Sequence, residues 1–155
     1  FRKEYIVTDA IKGWLDSDYM NDNTEQNFIN LIIYQGKVLY ALECLVPEAD
    51  DSIKTGYSSK QIEWVFENEQ NIWKVIIDNN LLFSNKPKQY LKFINDGNTT
   101  SGFPKEAPAK LGGFIGWQIV RAYMKRHEGM PLETLFQIND GKTILNESGY
   151  KPSKN

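Results

Sequence analysis

The sequence predicts a mainly α fold, a single multi-helix domain that occupies residues 1–155. No segment sustains the alternation of apolar and polar residues that is typical of a half-buried strand. Two segments instead carry apolar residues at helical spacing, 59–77 and 109–127. The first has the clearest stripe, formed by Ile62, Val65, Phe66, Ile72, Trp73, Ile76 and Ile77. The second begins with several glycines and continues with aromatic, aliphatic and basic residues.

Two helices are predicted for the N-terminal third of the chain. Thr8 or Asp9 can cap a short helix over 10–15, which ends in the polar stretch that follows. Thr24 has the chemistry of an N-cap for a long apolar helix over 25–45, and Pro47 stops that helix. Because four polar residues interrupt its apolar run, we expect a buried helix rather than a membrane span.

The middle of the chain is predicted to form one long helix after an acidic loop over 48–56. Ser58 followed by Gln61 matches the spacing of a capping box, so the helix should begin at Ser59. The apolar stripe predicts that it continues without interruption to about Ile77.

The C-terminal half is predicted to contain shorter helices around one glycine-rich helix. Gly129 should end the glycine-rich helix, and Asn139, Asp140 and Gly141 should form a turn between the last two helices. The predicted elements are helices over 88–94, 109–127, 131–136 and 142–147, and a loop over 95–108.

Composition excludes several classes of function. The net charge is −2, the isoelectric point is near 5.5, and the basic residues form no stripe, so we expect no nucleic-acid partner. A hydrophobic content of 41% indicates a folded domain rather than a disordered chain. The single cysteine, Cys44, lies in an apolar run, and we expect it to be a small buried residue.

The most informative segment is Leu111–Arg126, which reads LGGFIGWQIVRAYMKR. Gly112 and Gly116 are four positions apart and therefore lie on one face of a helix, and Gly113 widens that face. Each glycine costs a helix about 1 kcal/mol relative to alanine, so another element should approach closely here. Two interpretations remain open: a tight helix crossing, or a ligand or metal site against the glycine face.

Glu69 falls where the apolar stripe calls for a hydrophobic residue. A carboxylate on a buried face needs a cation or hydrogen-bond donors. One interpretation is a buried Glu69–Arg121 ion pair that docks the helix around Trp73 against the helix around Trp117, with Lys125 as an alternative cation. The other interpretation is a catalytic or metal-binding carboxylate.

No complete catalytic or metal-binding motif is present in the sequence. His127 is the single histidine, and Pro131 stands where a His-Glu-x-x-His helix needs its second histidine. We expect His127 to interact with the C-terminal end of its helix. Asp16, Asp18 and Asp22 lack the glycine and glutamate of a calcium-binding loop. We therefore assign no catalytic, cofactor-binding or metal-binding residue.

Seven short segments together resemble the C-terminal half of the gliding-motility lipoprotein family called GldB-like. They are IYQGKVLY from Ile33, LVP from Leu45, GYS from Gly56 with Gln61 and Trp64, Asn68-Glu69 with Ile72-Trp73, LLFS from Leu81, GWQIVRAYM from Gly116 and SGYKP from Ser148. Their order and spacing, from about residue 28 to 152, make the set specific. The loop at 98–106 departs from the family pattern.

The resemblance implies an exported lipoprotein held at the cell envelope by a lipidated cysteine and associated with the outer membrane. It also implies a distant similarity to zinc metallopeptidases, whose His-Glu-x-x-His helix lies in the N-terminal half. On this basis the chain is expected to be the C-terminal helical part of a zincin-like fold. Glu69, Trp73, Trp117 and Arg121 are then expected to form one packed set, with no cofactor bound by this chain.

Our leading hypothesis is a non-catalytic accessory or scaffold domain of an envelope lipoprotein linked to gliding motility or its secretion machinery. Its partners would be other envelope proteins, contacted through exposed aromatic residues or the loop over 95–108. Contact with a membrane would come only from an upstream lipid anchor. Because Phe1 is an unusual natural start, we expect the chain to be part of a longer protein.

The alternative hypothesis is the C-terminal half of a zinc-dependent metallopeptidase whose metal-binding helix lies upstream of Phe1. Glu69 or Glu25 would then supply a carboxylate near the zinc site. A third hypothesis is a partner-binding module with no link to the envelope. A His-Glu-x-x-His motif upstream would favour the enzyme.

Overall fold

The regular structure of the described part of the chain consists of helices, in a computed structural model that describes residues 3–19 and 26–153. The α-helices are α1 (Lys3–Tyr19), α2 (Phe28–Leu45), α3 (Asp51–Thr55), α4 (Ser59–Glu67), α5 (Glu69–Asp78), α6 (Pro87–Tyr90), α7 (Leu111–Arg126), α8 (Leu132–Gln137) and α9 (Gly141–Ser148). A 3-10 turn follows α6 at Leu91–Phe93. No strand occurs among these residues, which confirms the mainly α prediction.

The centre of the fold is the crossing of α2 over α7, where the two backbones touch at glycines. A Cβ atom on Gly116 would lie 1.7 Å from the carbonyl oxygen of Ile32, and one on Gly36 would lie 2.2 Å from the carbonyl carbon of Gly116. The tight helix crossing predicted for the glycine face is therefore confirmed. Its partner is α2, whereas the sequence had suggested the helix around Trp73, which packs on α7 less extensively.

Helix α2 begins later than predicted. Asn27 is its N-cap, and the side-chain oxygen of Asn27 accepts a hydrogen bond from the Asn30 amide at 2.9 Å. The predicted cap, Thr24, lies outside the described residues. By length and composition, α2 is the one described helix that could cross a membrane, yet half of it is buried against the rest of the fold, as predicted for a core helix.

The single helix predicted over 59–77 is wrong, because the structure divides it into α4 and α5. The start is as predicted, with the reciprocal hydrogen bonds of the Ser58–Gln61 capping box at 2.9 and 3.1 Å. Asn68 interrupts the helix with φ −109° and ψ 11°, and its side-chain amide donates to the Trp64 carbonyl at 2.9 Å. Asparagine competes in this way for backbone groups that a continuous helix would use.

Three local predictions also differ from the structure. Helix α1 extends well beyond 10–15 at both ends, and α3 occupies most of the predicted loop over 48–56. Gly56, with φ +77°, ends α3 in the left-handed conformation that favours glycine. Cys44 is exposed on the last turn of α2, so the prediction of a buried thiol is wrong. Consecutive apolar residues are distributed around all sides of a helix, but only one side of α2 faces the core at this point.

The loop over 95–108 is held in place by its own side chains. The Thr100 hydroxyl is buried and donates to the carbonyl of Pro108 at 2.9 Å. Phe103 packs edge-on against Phe93 and Trp64, with ring centroids 5.9 and 6.4 Å apart. The loop thereby closes one end of the core that Trp117 occupies at full burial.

Lys37 on α2 places a cation in the interior. Its side chain is only 5% exposed, and its ammonium group donates to the carbonyl of Ile138. No carboxylate among the described residues forms a salt bridge with it. Burial therefore lowers the pKa of Lys37 from 10.5 to about 8.

The lowered pKa of Lys37 should be visible in the pH dependence of the free energy of unfolding. Between pH 8 and 10 the unfolded chain binds more protons at Lys37 than the folded chain, so this residue makes the free energy of unfolding rise with pH. Below pH 8 Lys37 is charged in both states, so the full free-energy cost of burying its charge is present. We expect the stability of the wild type relative to Lys37→Met to rise by about 2 kcal/mol from pH 8 to pH 10.

Urea unfolding of both proteins at each pH measures this difference. Every other titratable group is present in both proteins, so the contributions of those groups cancel. A difference that does not change with pH would show that Lys37 keeps an ordinary pKa.

Candidate functional site

Glu69 is buried at the start of α5 and holds the C-terminal tail. Its side chain is 4% exposed, and Oε2 accepts hydrogen bonds from the Tyr150 hydroxyl at 2.7 Å and the Ser153 amide at 3.3 Å. Trp73, one turn later, packs edge-on against Tyr150 with ring centroids 5.1 Å apart. The carboxylate and the indole together tie α5 to the segment after α9.

The electrostatics of this contact favour a neutral phenol on Tyr150. Burial raises the pKa of the Tyr150 hydroxyl, and the charge of Glu69 and the hydrogen bond to it raise this pKa further. Tyr150 therefore remains a donor throughout the physiological range, and Glu69 can remain an acceptor.

An open polar depression of about 630 Å³ lies beside Glu69, between α7 and the tail. Lys125, Arg126 and Lys151 contribute cations to its lining, and all three are exposed. Gln118 contributes a buried side-chain amide nitrogen that has no hydrogen-bond partner. This arrangement can contact a polar or anionic group on another molecule.

Arg121 is bound to α2, through Glu43. Its Nε lies 2.6 Å from Oε1 of Glu43, and the indole nitrogen of Trp117 donates to the same oxygen. The guanidinium also lies 3.9 Å from the centroid of the Trp117 ring, a cation–π geometry. Gln118 accepts from the other side of the guanidinium at 3.2 Å. These contacts fasten the C-terminal half of α2 to α7.

The predicted Glu69–Arg121 ion pair is therefore wrong in both partners, since Glu69 binds the tail and Arg121 binds Glu43. The physical reason is the direction of the two side chains. Glu69, at the start of α5, reaches Tyr150 and Ser153 of the tail, whereas Arg121 leaves α7 on the side of α2. Whether the set has any role beyond architecture stays a prediction.

Two residues of this region were missed by the sequence reasoning. Glu43 carried a signal, because it is an acidic residue in the otherwise apolar second half of α2. Tyr150 carried none, because it is separated from Glu69 by 81 positions and no local pattern relates the two. Both act through contacts that only the fold creates.

Two of the remaining sequence candidates, His127 and Asp16, have structural partners. His127 caps the end of α7: its Nδ1 lies 2.8 Å from the Tyr123 carbonyl and its ring stacks on Tyr123, as expected for a helix-end residue. Asp16 accepts from the Tyr34 hydroxyl at 2.6 Å. Asp22 and Glu25 lie outside the described residues. Within residues 3–19 and 26–153, no three histidine, cysteine or acidic side chains form a group that could hold a metal ion.

Comparison with protein families gives a match over almost the whole chain. The model of the family described as gliding motility protein GldB matches residues 1–152. The chain belongs to the GldB family. Comparisons with curated proteins and with solved structures give no match.

Membership in the GldB family confirms the coarse part of the expected identity. The family is one of gliding-motility-related lipoproteins of the cell envelope. The match begins upstream of the first segment that carried the resemblance, so the GldB domain includes α1 as well as the α2–α7 crossing. The Glu69 and Arg121 clusters therefore lie inside a GldB domain.

Proposed function

We propose that this chain is a non-catalytic scaffold domain of an envelope lipoprotein, acting in gliding motility or its secretion machinery. The proposal is based on the observation that the buried and half-buried charged side chains of these clusters connect parts of the fold to each other. Glu69 accepts two hydrogen bonds from the tail, and Arg121 and Glu43 join α7 to α2. A catalytic acid or base needs free reach to a substrate proton, whereas Oε2 of Glu69 and Oε1 of Glu43 are engaged in contacts within the fold.

The partners in this proposal are other proteins of the envelope machine, on the outer-membrane side of the envelope. Helix α1 supports it with large exposed apolar side chains, since Trp14 is 52% exposed and Ile6 is 53% exposed. An exposed tryptophan is the residue type that most often anchors a protein interface. The zincin-like relationship is part of the same proposal and is supported only by the family resemblance.

The variant Glu69→Gln tests the absence of catalysis. The amide oxygen of glutamine can still accept from Tyr150, but the side chain cannot serve as a base or as a strong metal ligand. In a gliding bacterium that lacks its own copy, we expect the full-length Glu69→Gln lipoprotein to restore motility to the wild-type level. A natively folded Glu69→Gln protein that abolishes motility would contradict the scaffold proposal.

A matched surface variant tests the scaffold role from the other side. Trp14→Glu leaves the interior untouched and puts a charge on the exposed face of α1. We expect it to fold normally but to lower motility and the yield of envelope proteins that are cross-linked to the lipoprotein. Full motility with Trp14→Glu would exclude this face as the partner surface.

The alternative proposal, the C-terminal half of a zinc peptidase, is favoured by one observation. Glu69 lies beside an open depression, where a buried carboxylate could meet a substrate or a metal held by other residues. Zinc at one ion per full-length lipoprotein, with peptidase activity lost on chelation, would overturn the scaffold proposal. Neither zinc nor peptidase activity is expected.

A further inference from the structure

A second cavity, of about 340 Å³, opens between α1, α2 and the beginning of α7. Its volume lies within the range of small-molecule sites, about 300–1,000 Å³. At about 30 Å³ for each water-sized unit, it holds about eleven such units, which suits a chain of about ten carbon atoms. It is distinct from the depression beside Glu69, with no lining residue in common.

The walls of this cavity are mostly apolar and come from three parts of the fold. Leu31, Val38 and Leu39 project from α2, Ile94 follows the 3-10 turn, and Phe114 lies in the first turn of α7. Apolar side chains of this kind provide no hydrogen bonds to the body of a ligand. The surface therefore suits an alkyl chain rather than a sugar or a nucleotide.

Three charged residues line the same cavity, two lysines and Asp16, so the lining carries one positive charge in excess. Lys12 on α1 and Lys110 before α7 both line it. Burial lowers the pKa of Lys12, and the positive charge of Lys110 lowers it further, so the two ammonium groups are close enough to repel each other. The carboxylates of Asp9, Asp16 and Asp96 oppose this effect.

The acidic groups near the lysines are already partly engaged. Asp16 accepts a hydrogen bond from the hydroxyl of Tyr34. Asp96, whose side chain is 91% exposed, forms an ion pair with Lys110 at 3.0 Å. An exposed pair of this kind contributes little, because water screens it. Lys110 also precedes the unpaired amides at the N-terminus of a 16-residue helix, which favour negative charge.

We propose that the cavity binds a fatty-acid-type carboxylate of about ten carbons, with the alkyl chain between α2 and α7 and the carboxylate between Lys12 and Lys110. A bound carboxylate would relieve the repulsion between the two ammonium groups. The proposal goes beyond the scaffold function and does not depend on it, because none of its residues belongs to the Glu69 or Arg121 clusters.

Titration calorimetry of the purified chain with decanoate, below the concentration at which it forms micelles, tests this proposal. We expect saturable binding of one decanoate per chain. Decyltrimethylammonium has the same chain and the opposite charge, and should bind at least about ten times more weakly. Decan-1-ol measures the contribution of the apolar walls alone.

Variants separate the head-group site from the walls. Lys110 has φ +57°, a conformation that asparagine tolerates, so Lys110→Asn removes the charge without backbone strain. The double variant Lys12→Gln, Lys110→Asn should weaken the binding of decanoate about tenfold and leave the binding of decan-1-ol unchanged. Leu39→Trp, which fills the cavity, should weaken the binding of both decanoate and decan-1-ol. Lys60→Gln, an exposed lysine on α4, should change neither.

Several results would overturn the proposal. They are the absence of saturable decanoate binding, equal binding of decyltrimethylammonium, and wild-type decanoate affinity in the double variant. Sedimentation of the protein with anionic phospholipid vesicles without binding of decanoate would also overturn it, in favour of a membrane surface. Thermal unfolding of each variant confirms that the compared proteins are folded.

Discussion

Gly116→Ala is expected to lower the free energy of unfolding by at least about 3 kcal/mol. The new methyl group would lie 1.7 Å from the carbonyl oxygen of Ile32, and the neighbouring Gly36 faces the same point of α7. Backbone atoms cannot rotate away as a side chain can, so relief requires α2 and α7 to separate. Because this crossing is the centre of the core, separation would loosen most buried contacts.

Gly13→Ala is the matched control for this substitution. Gly13 also lies inside a helix, α1, but no described atom outside its neighbouring helix backbone lies within 4 Å of the position that its Cβ would occupy. Alanine should therefore improve the helix by up to about 1 kcal/mol. Chemical denaturation of both variants measures the contrast. Similar effects of the two substitutions would show that the helices do not touch at Gly116.

Glu69→Ala is expected to cost about 3 kcal/mol and to release the C-terminal tail. The substitution removes the acceptor for the Tyr150 hydroxyl and the Ser153 amide, and it leaves a cavity at a site that is 4% exposed. The half-buried phenol of Tyr150 would then lack both its acceptor and full hydration, which destabilises the folded state. The tail after α9 should then exchange its amide hydrogens faster than in the wild type.

Glu67→Ala provides the control, because Glu67 is an exposed carboxylate two residues earlier on α4. We expect its effect to stay within about 0.5 kcal/mol. Tyr150→Phe, combined with Glu69→Ala in a double-mutant cycle, isolates the energy of their hydrogen bond. If Glu69→Ala left both stability and tail exchange unchanged, the tail would not be held by this carboxylate.

The boundaries of helices were predictable where a local chemical signal defines them. The Ser58–Gln61 capping box gave the start of α4 to the residue, and the span of α7 was predicted to within two residues at its start. The break at Asn68 was not predicted, because the apolar stripe continues through it with Val65 and Ile72 both buried. Periodicity reports which face is buried, not whether the helix is continuous.

The contents of the candidate site were predictable only in part. The burial of Glu69 followed from its position in an apolar stripe, and the structure places it in the interior. Its partner did not follow, because Tyr150 and Ser153 are 81 and 84 positions away. Arg121 likewise meets Glu43 across 78 positions. A pattern that shows a need for a partner does not identify the partner.

The sequence by itself determined the helical class of this GldB domain, the close approach at Gly112–Gly116 and the family to which it belongs. These depend on residue chemistry, on spacing and on order along the chain, which are local or linear properties. Only the tertiary structure decided that α2 fills the glycine face, that Glu69 binds the tail and that Lys12 and Lys110 share a cavity. These depend on distances between residues that are far apart in the chain, and such distances are set by the packing of the whole core.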